Sequence, residues 1–481
     1  MTIGWLIVLA VSAVLFSIIC LRLHAFLALL FTSILVAALT LESDLQRFAE
    51  EQVAVGKLTA AEAAELCAQS ATTRVAMALG DTVGKIGIVI ALASVIGGLL
   101  MESGAASRIV NAILNRIGEK RAPEALATSS FVLGIPVFFD TVFYLMIPLA
   151  RSLQRKTGKG FILYILAIMA GGSITHSLIP PTPGPIQVAA LVNVDIGVMM
   201  IAGFAVGSVT SVFALLSARV IDRWAKVPYR ESSGALASMP STGDSNERLE
   251  KETLPPLFLA LLPILVPVVL LTSGSITSAL LSAEVFEASP LTDVVRRFGD
   301  KNIALLIGTL AAFGLIPWVD AEKRRGALSA AVASAGNIIL ITAAGGALGR
   351  VLYQAGIGEA VGSLVSGVPG LLLLPLAFLI TAAIRTVQGS ATIAMITSAG
   401  ILQGIASAEA LPFHPVYLAM AIGAGSKPIS WMTDSAFWII SEMSGMTERE
   451  ALRVISPMSI ALGLIALSVT MVFAAIYPAV L

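Results

Sequence analysis

The chain of 481 residues has few charged side chains. Asp, Glu, Lys and Arg make up 12% of it, about half of their share in soluble globular domains. The formal net charge is zero, so the composition shows no basic excess for nucleic acid. Only two cysteines occur, Cys20 and Cys67, and they form no metal or redox motif. We therefore expect neither a soluble domain nor a nucleic-acid-binding protein.

Motifs of catalysis and nucleotide binding are also absent from the sequence. The chain has no H-E-x-x-H, no G-x-S-x-G and no paired metal ligands, which argues against an intramembrane enzyme and against a bound metal or other cofactor. It has no G-x-x-x-x-G-K-[ST] loop, so ATP-driven transport is not expected either.

Long apolar runs are the main feature of the chain. Hydrophobic residues make up 57% of it, the mean hydropathy is +0.91, and several runs reach the roughly 20 residues that cross a hydrocarbon core. We predict an all-α polytopic membrane protein with crossings near residues 3–21, 24–41, 84–102, 161–192 (broken), 198–218, 255–272, 302–318, 328–350, 413–440 (broken) and 456–478. The acidic, Ala-rich segment 42–83 predicts an amphipathic helix outside the membrane.

The distribution of positive charge predicts the orientation. No Lys or Arg precedes the first apolar run and Arg22 follows it, whereas a secretory signal has its basic residues first. We therefore expect a retained first helix with the N-terminus outside. With that start, the loops assigned to the cytoplasm hold 20 Lys and Arg and the outside segments hold 8, which follows the positive-inside rule.

An internal repeat divides the chain. A shift of 252 residues aligns 84–110 with 336–362, and Gly97 then matches Gly349. Each copy is followed by an apolar stretch that predicts a re-entrant hairpin, 125–150 or 370–402, and then by a broken transmembrane helix. The two hairpins fall on opposite sides, so we predict two inverted-topology repeats, as in secondary transporters. The predicted division is an N-terminal half 1–221, a cytoplasmic linker 222–254 and a C-terminal half 255–481.

Four polar stretches interrupt the apolar pattern at membrane depth, at 134–143, 171–185, 385–395 and 423–438. Irregular backbone in a bilayer must be buried in protein or line an aqueous cavity, so we expect the four to share one polar site. Prolines force the second break, and the helix that restarts after Pro185 offers N–H groups to an anion.

The residues in these breaks suit a small, hydroxylated, anionic solute. The candidate substrate-binding residues are Thr175, His176, Gly184, Gln388, Gly389, Ser390, Thr392, Ser426, Thr433 and Ser435. Asp140, Asp434 and His176 are candidate proton carriers, because ionisable groups in apolar surroundings are functional candidates by default. The alternative for both aspartates is a structural hydrogen bond or a pairing with Arg385 or Lys427, and for His176 it is a bracing role. Lys427 itself either neutralises a substrate carboxylate, snorkels or pairs with an aspartate.

The four stretches resemble a known family. "GIPVFFD", "THSLIPPTPGP", "QGSATIAM" and "GAGS…DSAFW" are similar, in order and spacing, to motifs of the gluconate:proton symporter (GntP) family, from about residue 84 to the end. The resemblance implies a bacterial inner-membrane importer of gluconate or a related sugar acid, driven by protons. Through the wider ion transporter superfamily it implies paired hairpins, a homodimer and an elevator-like movement. Thr182 and Trp431 stand where the family pattern has histidine, Thr433 where it has asparagine and Ala436 where it has glycine, which predicts a narrower pocket.

The leading function is therefore secondary active transport of a sugar acid with protons. The expected partners are a small anionic sugar acid, protons or else sodium, the lipid bilayer and a second copy of the chain, with no nucleic acid. A sodium-coupled carrier of dicarboxylates or other organic anions is the alternative, because the oxygens at the hairpin tips are also suitable Na⁺ ligands. A channel would not need broken helices in both repeats.

Overall fold

A computed structural model describes residues 3–54, 58–158, 160–230, 254–282, 285, 287–322, 324–356, 370–406, 411–431 and 434–479, and these ranges contain no strand. The helices before residue 231 are α1 (Ile3–Ile19), α2 (Ala25–Leu39), α3 (Glu42–Ala54), α4 (Ala60–Ala68), α5 (Ala71–Glu102), α6 (Ala105–Ile117), α7 (Ala122–Leu133), α8 (Phe139–Thr157), α9 (Phe161–Ile168), α10 (Ile174–Leu178), α11 (Pro183–Leu191) and α12 (Ile196–Ala225). The helices after residue 253 are α13 (Leu257–Ser282), α14 (Pro290–Phe298), α15 (Lys301–Phe313), α16 (Arg324–Gln354), α17 (Leu373–Gln388), α18 (Ala391–Ala406), α19 (Pro415–Gly425), α20 (Ser435–Ser444) and α21 (Glu448–Ile476).

Six helices in the described ranges are long and apolar enough to cross a membrane. They are α5, the interrupted helix Phe161–Leu191, α12, α13, α16 and α21, and the bent pair α2 and α3 would add a seventh. Large apolar side chains are exposed on the long helices, such as Val220 on α12 and Phe258 on α13, which is 71% exposed. Such surfaces are unfavourable in water and suit hydrocarbon, as expected of a multi-pass membrane protein.

The segment 42–83 differs from the single amphipathic helix that its composition predicts. It forms α3, α4 and the first turns of α5. Thr59 caps α4 in a capping box with Glu62, and Ser70 caps α5, so each begins a separate helix. α3 packs against α16, where the rings of Phe48 and Tyr353 lie 5.3 Å apart.

Both predicted hairpins are pairs of packed helices, α7 with α8 and α17 with α18. The second turn is tight because Gly389 ends α17 with φ +88°, in the left-handed region that glycine adopts without a Cβ penalty. Ser390 then caps α18, accepting a hydrogen bond from the Ile393 N–H at 3.4 Å. That each hairpin enters and leaves the bilayer on one side remains a prediction.

Both predicted helix breaks are present. A π-helical segment, Met169–Ser173, joins α9 to α10, and the chain then loses helical structure between Leu178 and Pro183. α11 begins at Pro183 rather than after Pro185, because proline fits the first turn of a helix, whose N–H groups have no partner within the helix. The second break separates α19 from α20, between Gly425 and Ser435.

The packing of the two halves is reciprocal. α8, the second helix of the first hairpin, packs against α20, and α18, the second helix of the other hairpin, packs against α11. α5 likewise packs against α16, and α12 against α21. The repeated glycines serve close approaches: a Cβ on Gly97 would lie 2.9 Å from the Pro136 carbonyl oxygen, and one on Gly349 would lie 2.8 Å from Gly400 Cα. This order of elements agrees with the sequence repeat, while its inverted topology remains a prediction.

Most of the predicted linker 222–254, namely residues 231–253, lies outside the described residues. Its first residues belong to the folded part: α12 runs to Ala225, and the Tyr229 and Phe161 rings lie 5.0 Å apart. Arg230 donates to the two Glu450 carboxylate oxygens at 2.6 and 2.8 Å. The first part of the predicted linker is thus fastened to α9 and α21, and the division at 221 and 255 remains a prediction.

Candidate functional site

All four breaks contribute to one cavity of about 230 Å³. Its wall consists of Phe138, Phe139, Asp140, Met169, Ser173, His176, Arg385, Ser390, Ala391, Thr392, Ser426, Lys427, Ser430, Asp434, Ala436, Ile440 and Ser459. Both halves of the chain are therefore needed to form it. Its volume lies below the roughly 300–1,000 Å³ of pockets for drug-sized ligands, so it fits a small solute.

Three helices begin at the cavity wall. α8 contributes Phe139 and Asp140 from its first turn, α18 contributes Ala391 and Thr392, and α20 contributes its N-cap, Asp434. The first turn of a helix has N–H groups without intrahelical partners and carries the positive end of the helix dipole. Three such turns around one cavity favour an anionic ligand.

Arg385 and Asp434 form a buried ion pair in the wall of the cavity. Their side chains are only 5% and 7% exposed. Arg385 Nη2 donates to Asp434 Oδ2, Nη1 donates to the Gly389 carbonyl oxygen, and Nε donates to the Ser426 carbonyl oxygen at 3.1 Å. Asp434 also accepts from the Ser430 hydroxyl. The pair therefore joins the tip of the second hairpin to the break between α19 and α20.

Lys427 and Ser426 connect the breaks of the two halves. Lys427 Nζ donates to the Ser173 carbonyl oxygen at 2.8 Å and lies 3.2 Å from the Ser173 hydroxyl. Ser426 Oγ lies 3.0 Å from Ser177 Oγ. Lys427 thus adds a second basic side chain to the cavity beside Arg385, where the hydroxyl-rich motifs predict few cations.

His176 faces the cavity from α10. Its ring packs edge-on against Phe138, with 5.9 Å between the ring centroids. Its buried Nδ1 has no hydrogen-bond partner among the described residues. The imidazole is therefore a cavity residue that also braces the second break against the first hairpin.

Two departures from the family pattern fasten the breaks. Thr182 Oγ1 donates to the carbonyl oxygens of His176 at 3.0 Å and Ile179 at 2.8 Å, at the end of α10. Trp431 Nε1 donates to the Thr386 carbonyl oxygen at 2.7 Å, and the indole is not part of the cavity wall. Trp431 therefore does not narrow the cavity in the way that its bulk predicts.

The cavity brings together six of the predicted site residues and leaves others elsewhere. Those in the wall are Asp140, His176, Ser390, Thr392, Ser426 and Asp434. The Thr175 hydroxyl donates to the Gly171 carbonyl oxygen at 2.9 Å, inside its own helix. Gly184 packs against Met395, and Gly389 presents its carbonyl to Arg385. Gln388 ends α17 and Ser435 begins α20, but their side chains and all of Thr433 lie outside the described residues.

The start of α11, where the sequence predicts an anion site, does not line the main cavity. Thr182 and Pro183 line a separate small pocket with Pro136 and Phe138. The helix starts that line the main cavity are those of α8, α18 and α20.

The polar wall residues that were not selected as site residues from the sequence include Arg385, Ser173 and Ser430. Arg385 carries a signal that was available, since a charged residue within an apolar segment, four positions before the Gly389 tip, is a functional candidate by itself. The two serines carry no such signal, because hydroxyl groups are common in membrane helices.

The sequence model described as GntP family permease matches residues 53–476. The chain belongs to the GntP permease family. It is 34% identical to an uncharacterized permease of Haemophilus influenzae, over 81% of this chain and 80% of the relative. It is 32% identical to a protein of Zymomonas mobilis named gluconate permease, over 77% of this chain and 80% of that protein. The predicted family is thus confirmed, and the chain is a multi-pass permease.

A solved structure shares the fold. The YdaH transporter of Alcanivorax borkumensis, described as having an unusual topology, matches with a TM-score of 0.57 over 85% of this chain and 90% of that one. The sequences are 15% identical, so the likeness concerns the fold alone.

Proposed function

We propose that this GntP family permease imports gluconate or a related small sugar acid by proton symport across a bacterial inner membrane, with its N-terminus outside. The relatives named gluconate permease support the substrate class. A cavity that combines three helix N-termini, two buried cations and several hydroxyl groups supports an anionic, hydroxylated solute. The homodimer and the elevator-like movement are part of the proposal and rest on the family resemblance.

The main support for coupling to a proton is the balance of charges in the cavity wall. Arg385 and Lys427 give two positive charges and Asp140 and Asp434 give two negative ones, so the wall is neutral when all four are ionised. A monocarboxylate alone would leave one excess negative charge in a buried site, which is unfavourable. One proton on an aspartate removes that excess, so a monoanion and one proton fit the cavity together.

In the proposed arrangement, the solute carboxylate lies near Arg385 and Lys427. Ser390 and Thr392 of the hairpin tip contact its hydroxyl groups. Asp434, Asp140 and His176 are the groups available to hold the transported proton. A neutral sugar would leave both cations without an anionic ligand, so we expect it to be excluded.

Counterflow in liposomes tests the substrate class. Liposomes with purified protein and internal gluconate are given labelled gluconate, glycerate, succinate or glucose outside. We expect exchange of the two sugar acids and none of glucose. Exchange of succinate alone, or of no sugar acid, would overturn the proposed function.

Lys427→Gln should raise the half-saturating concentration of gluconate by about tenfold or more, because a charge-assisted hydrogen bond is lost. Lys156→Gln, which removes an exposed ion pair with Glu119, should not change that concentration.

A further inference from the structure

The Arg385–Asp434 ion pair poses a problem of charge in any step that involves a proton. A guanidinium stays protonated in proteins, so Arg385 cannot lose its charge. Removing the partner of a buried ion pair is strongly unfavourable, because the remaining charge is neither solvated nor compensated. If Asp434 takes a proton, Arg385 therefore needs another anion at once.

The geometry gives that anion a place. Because Arg385 and Asp434 both line the cavity, a solute bound in the cavity can contact the Arg385 guanidinium directly. Arg385 is held at Nε and Nη1 by the carbonyl oxygens of Ser426 and Gly389, so only its Nη2 bond to Asp434 has an exchangeable anionic partner. The guanidinium remains in position when that bond changes partner.

We propose that the substrate carboxylate replaces Asp434 as the anionic partner of Arg385, and that this exchange couples the solute to the proton. The inference rests on the proposed function and assigns its coupling step to one ion pair. No covalent bond to carbon changes: Asp434 gains one proton from the outside as the solute carboxylate pairs with Arg385. On the inside the solute leaves, Asp434 releases the proton, and the ion pair forms again.

The Ser430 hydroxyl can form a hydrogen bond with Asp434 whether that carboxyl is ionised or protonated. Its hydroxyl donates to Asp434 Oδ2 in the ion pair. A hydroxyl also accepts, so the protonated Asp434 can donate to Ser430 in return. The Ala436 N–H donates to Asp434 Oδ1 at 3.0 Å, and this bond is available in both states.

Other charged and titratable groups face the same cavity, namely Lys427, Asp140 and His176. Lys427 Nζ bonds to the Ser173 carbonyl and hydroxyl oxygens, and among the described residues it forms no ion pair with a carboxylate that a solute could replace. Asp140 and His176 come from the first half of the chain and line the cavity from α8 and α10. They are the competing proton carriers that the experiment must separate from Asp434.

The test measures binding of labelled gluconate to the purified full-length protein between pH 5 and pH 8. Proton and solute binding are reciprocal, so wild-type affinity should fall as the pH rises, by up to about tenfold per pH unit. Asp434→Asn should keep binding and lose this pH dependence. Arg385→Gln and the charge-balanced double variant Arg385→Gln/Asp434→Asn should both bind at least tenfold more weakly at every pH. Glu124→Gln, which removes a carboxylate opposite Arg219 outside the cavity, should behave like the wild type.

A second measurement avoids the unpaired arginine of Asp434→Asn. Infrared difference spectra of the wild type should show a protonated carboxyl band when gluconate binds, and Asp434→Glu should shift that band. A band that does not move, or a wild-type pH dependence in Asp434→Asn, would overturn the exchange and place the proton on another group. Absence of gluconate binding by the wild type at all pH values would instead refute the proposed function.

Discussion

At the scale of single residues, some hydroxyl groups of the four breaks line the cavity, and others are hydrogen-bonded to backbone carbonyl oxygens. Thr392 lines the cavity on the first turn of α18, whereas the Thr175 hydroxyl is bonded to the Gly171 carbonyl within its own helix. Both threonines occur in family-like motifs and read alike in the sequence. Their roles differ because only one points to the cavity.

Thr392→Val and Thr175→Val form a matched pair of variants. Thr392→Val should raise the half-saturating concentration of the sugar acid about 2- to 10-fold, the usual worth of one net hydrogen bond. Thr175→Val should leave it within a factor of two, because its hydroxyl contributes nothing to the cavity wall. Initial rates of counterflow over a range of substrate concentrations give both values. A larger effect of Thr175→Val than of Thr392→Val would refute the position of the site.

The ionisable residues that the sequence selects as site residues all lie in the cavity wall, whereas several of its uncharged selections do not. Asp140, Asp434 and His176 stand out because a charge in an apolar segment needs a reason, and all three line the cavity. Thr175 and Gly184 were selected because they lie in the polar stretch 171–185. They lie off the wall because a π-helical segment and the early restart of α11 at Pro183 set their directions, and neither feature is visible in hydropathy.

At the scale of helices, the candidate site is formed by residues at helix ends. The second hairpin turns at Gly389, whose carbonyl receives a hydrogen bond from Arg385 and whose φ of +88° is unfavourable for any residue with a Cβ. Gly158 ends α8 with a similar φ of +70°, at an exposed position with no atom near its missing Cβ. The two positions have the same backbone requirement and different surroundings.

Gly389→Ala and Gly158→Ala should each lower the free energy of unfolding by about 1–2 kcal/mol, the cost of the left-handed conformation. Only Gly389→Ala should lower transport per folded molecule, because a shift of the tip moves Ser390 and the carbonyl that holds Arg385. Thermal unfolding in detergent and counterflow in liposomes measure the two effects. Equal transport by both variants would show that the tip does not position the site.

The order of helices was predicted better than their ends. The helix pairs of the predicted hairpins, the two helix breaks and the long repeated helices lie where hydropathy and the repeat place them, while the re-entrant course of the hairpins remains a prediction. The ends differ because hydropathy detects the apolar part of a helix, while helices such as α5, α12 and α13 continue beyond it into polar sequence. Caps at Thr59 and Ser70 likewise divide a segment whose composition alone favours one helix.

At the scale of the whole molecule, the predicted orientation in the membrane rests on the distribution of positive charges and has a direct test. Cys20 lies just after α1 and is exposed, and Cys67 lies on α4 and is partly exposed. With the N-terminus outside, Cys20 faces the cytoplasm and Cys67 faces the outside. An impermeant maleimide applied to intact cells should label Cys20→Ser and spare Cys67→Ser. The opposite labelling would invert the predicted topology.

Coupling to protons is the central claim for the whole molecule, and accumulation in proteoliposomes tests it most directly. Purified protein is placed in liposomes without sodium, and an inward proton gradient is imposed in the presence of labelled gluconate. The account predicts accumulation above the external concentration, which is lost when a protonophore dissipates the gradient. Accumulation that starts only when sodium is added, or uptake limited to dicarboxylates, would contradict it.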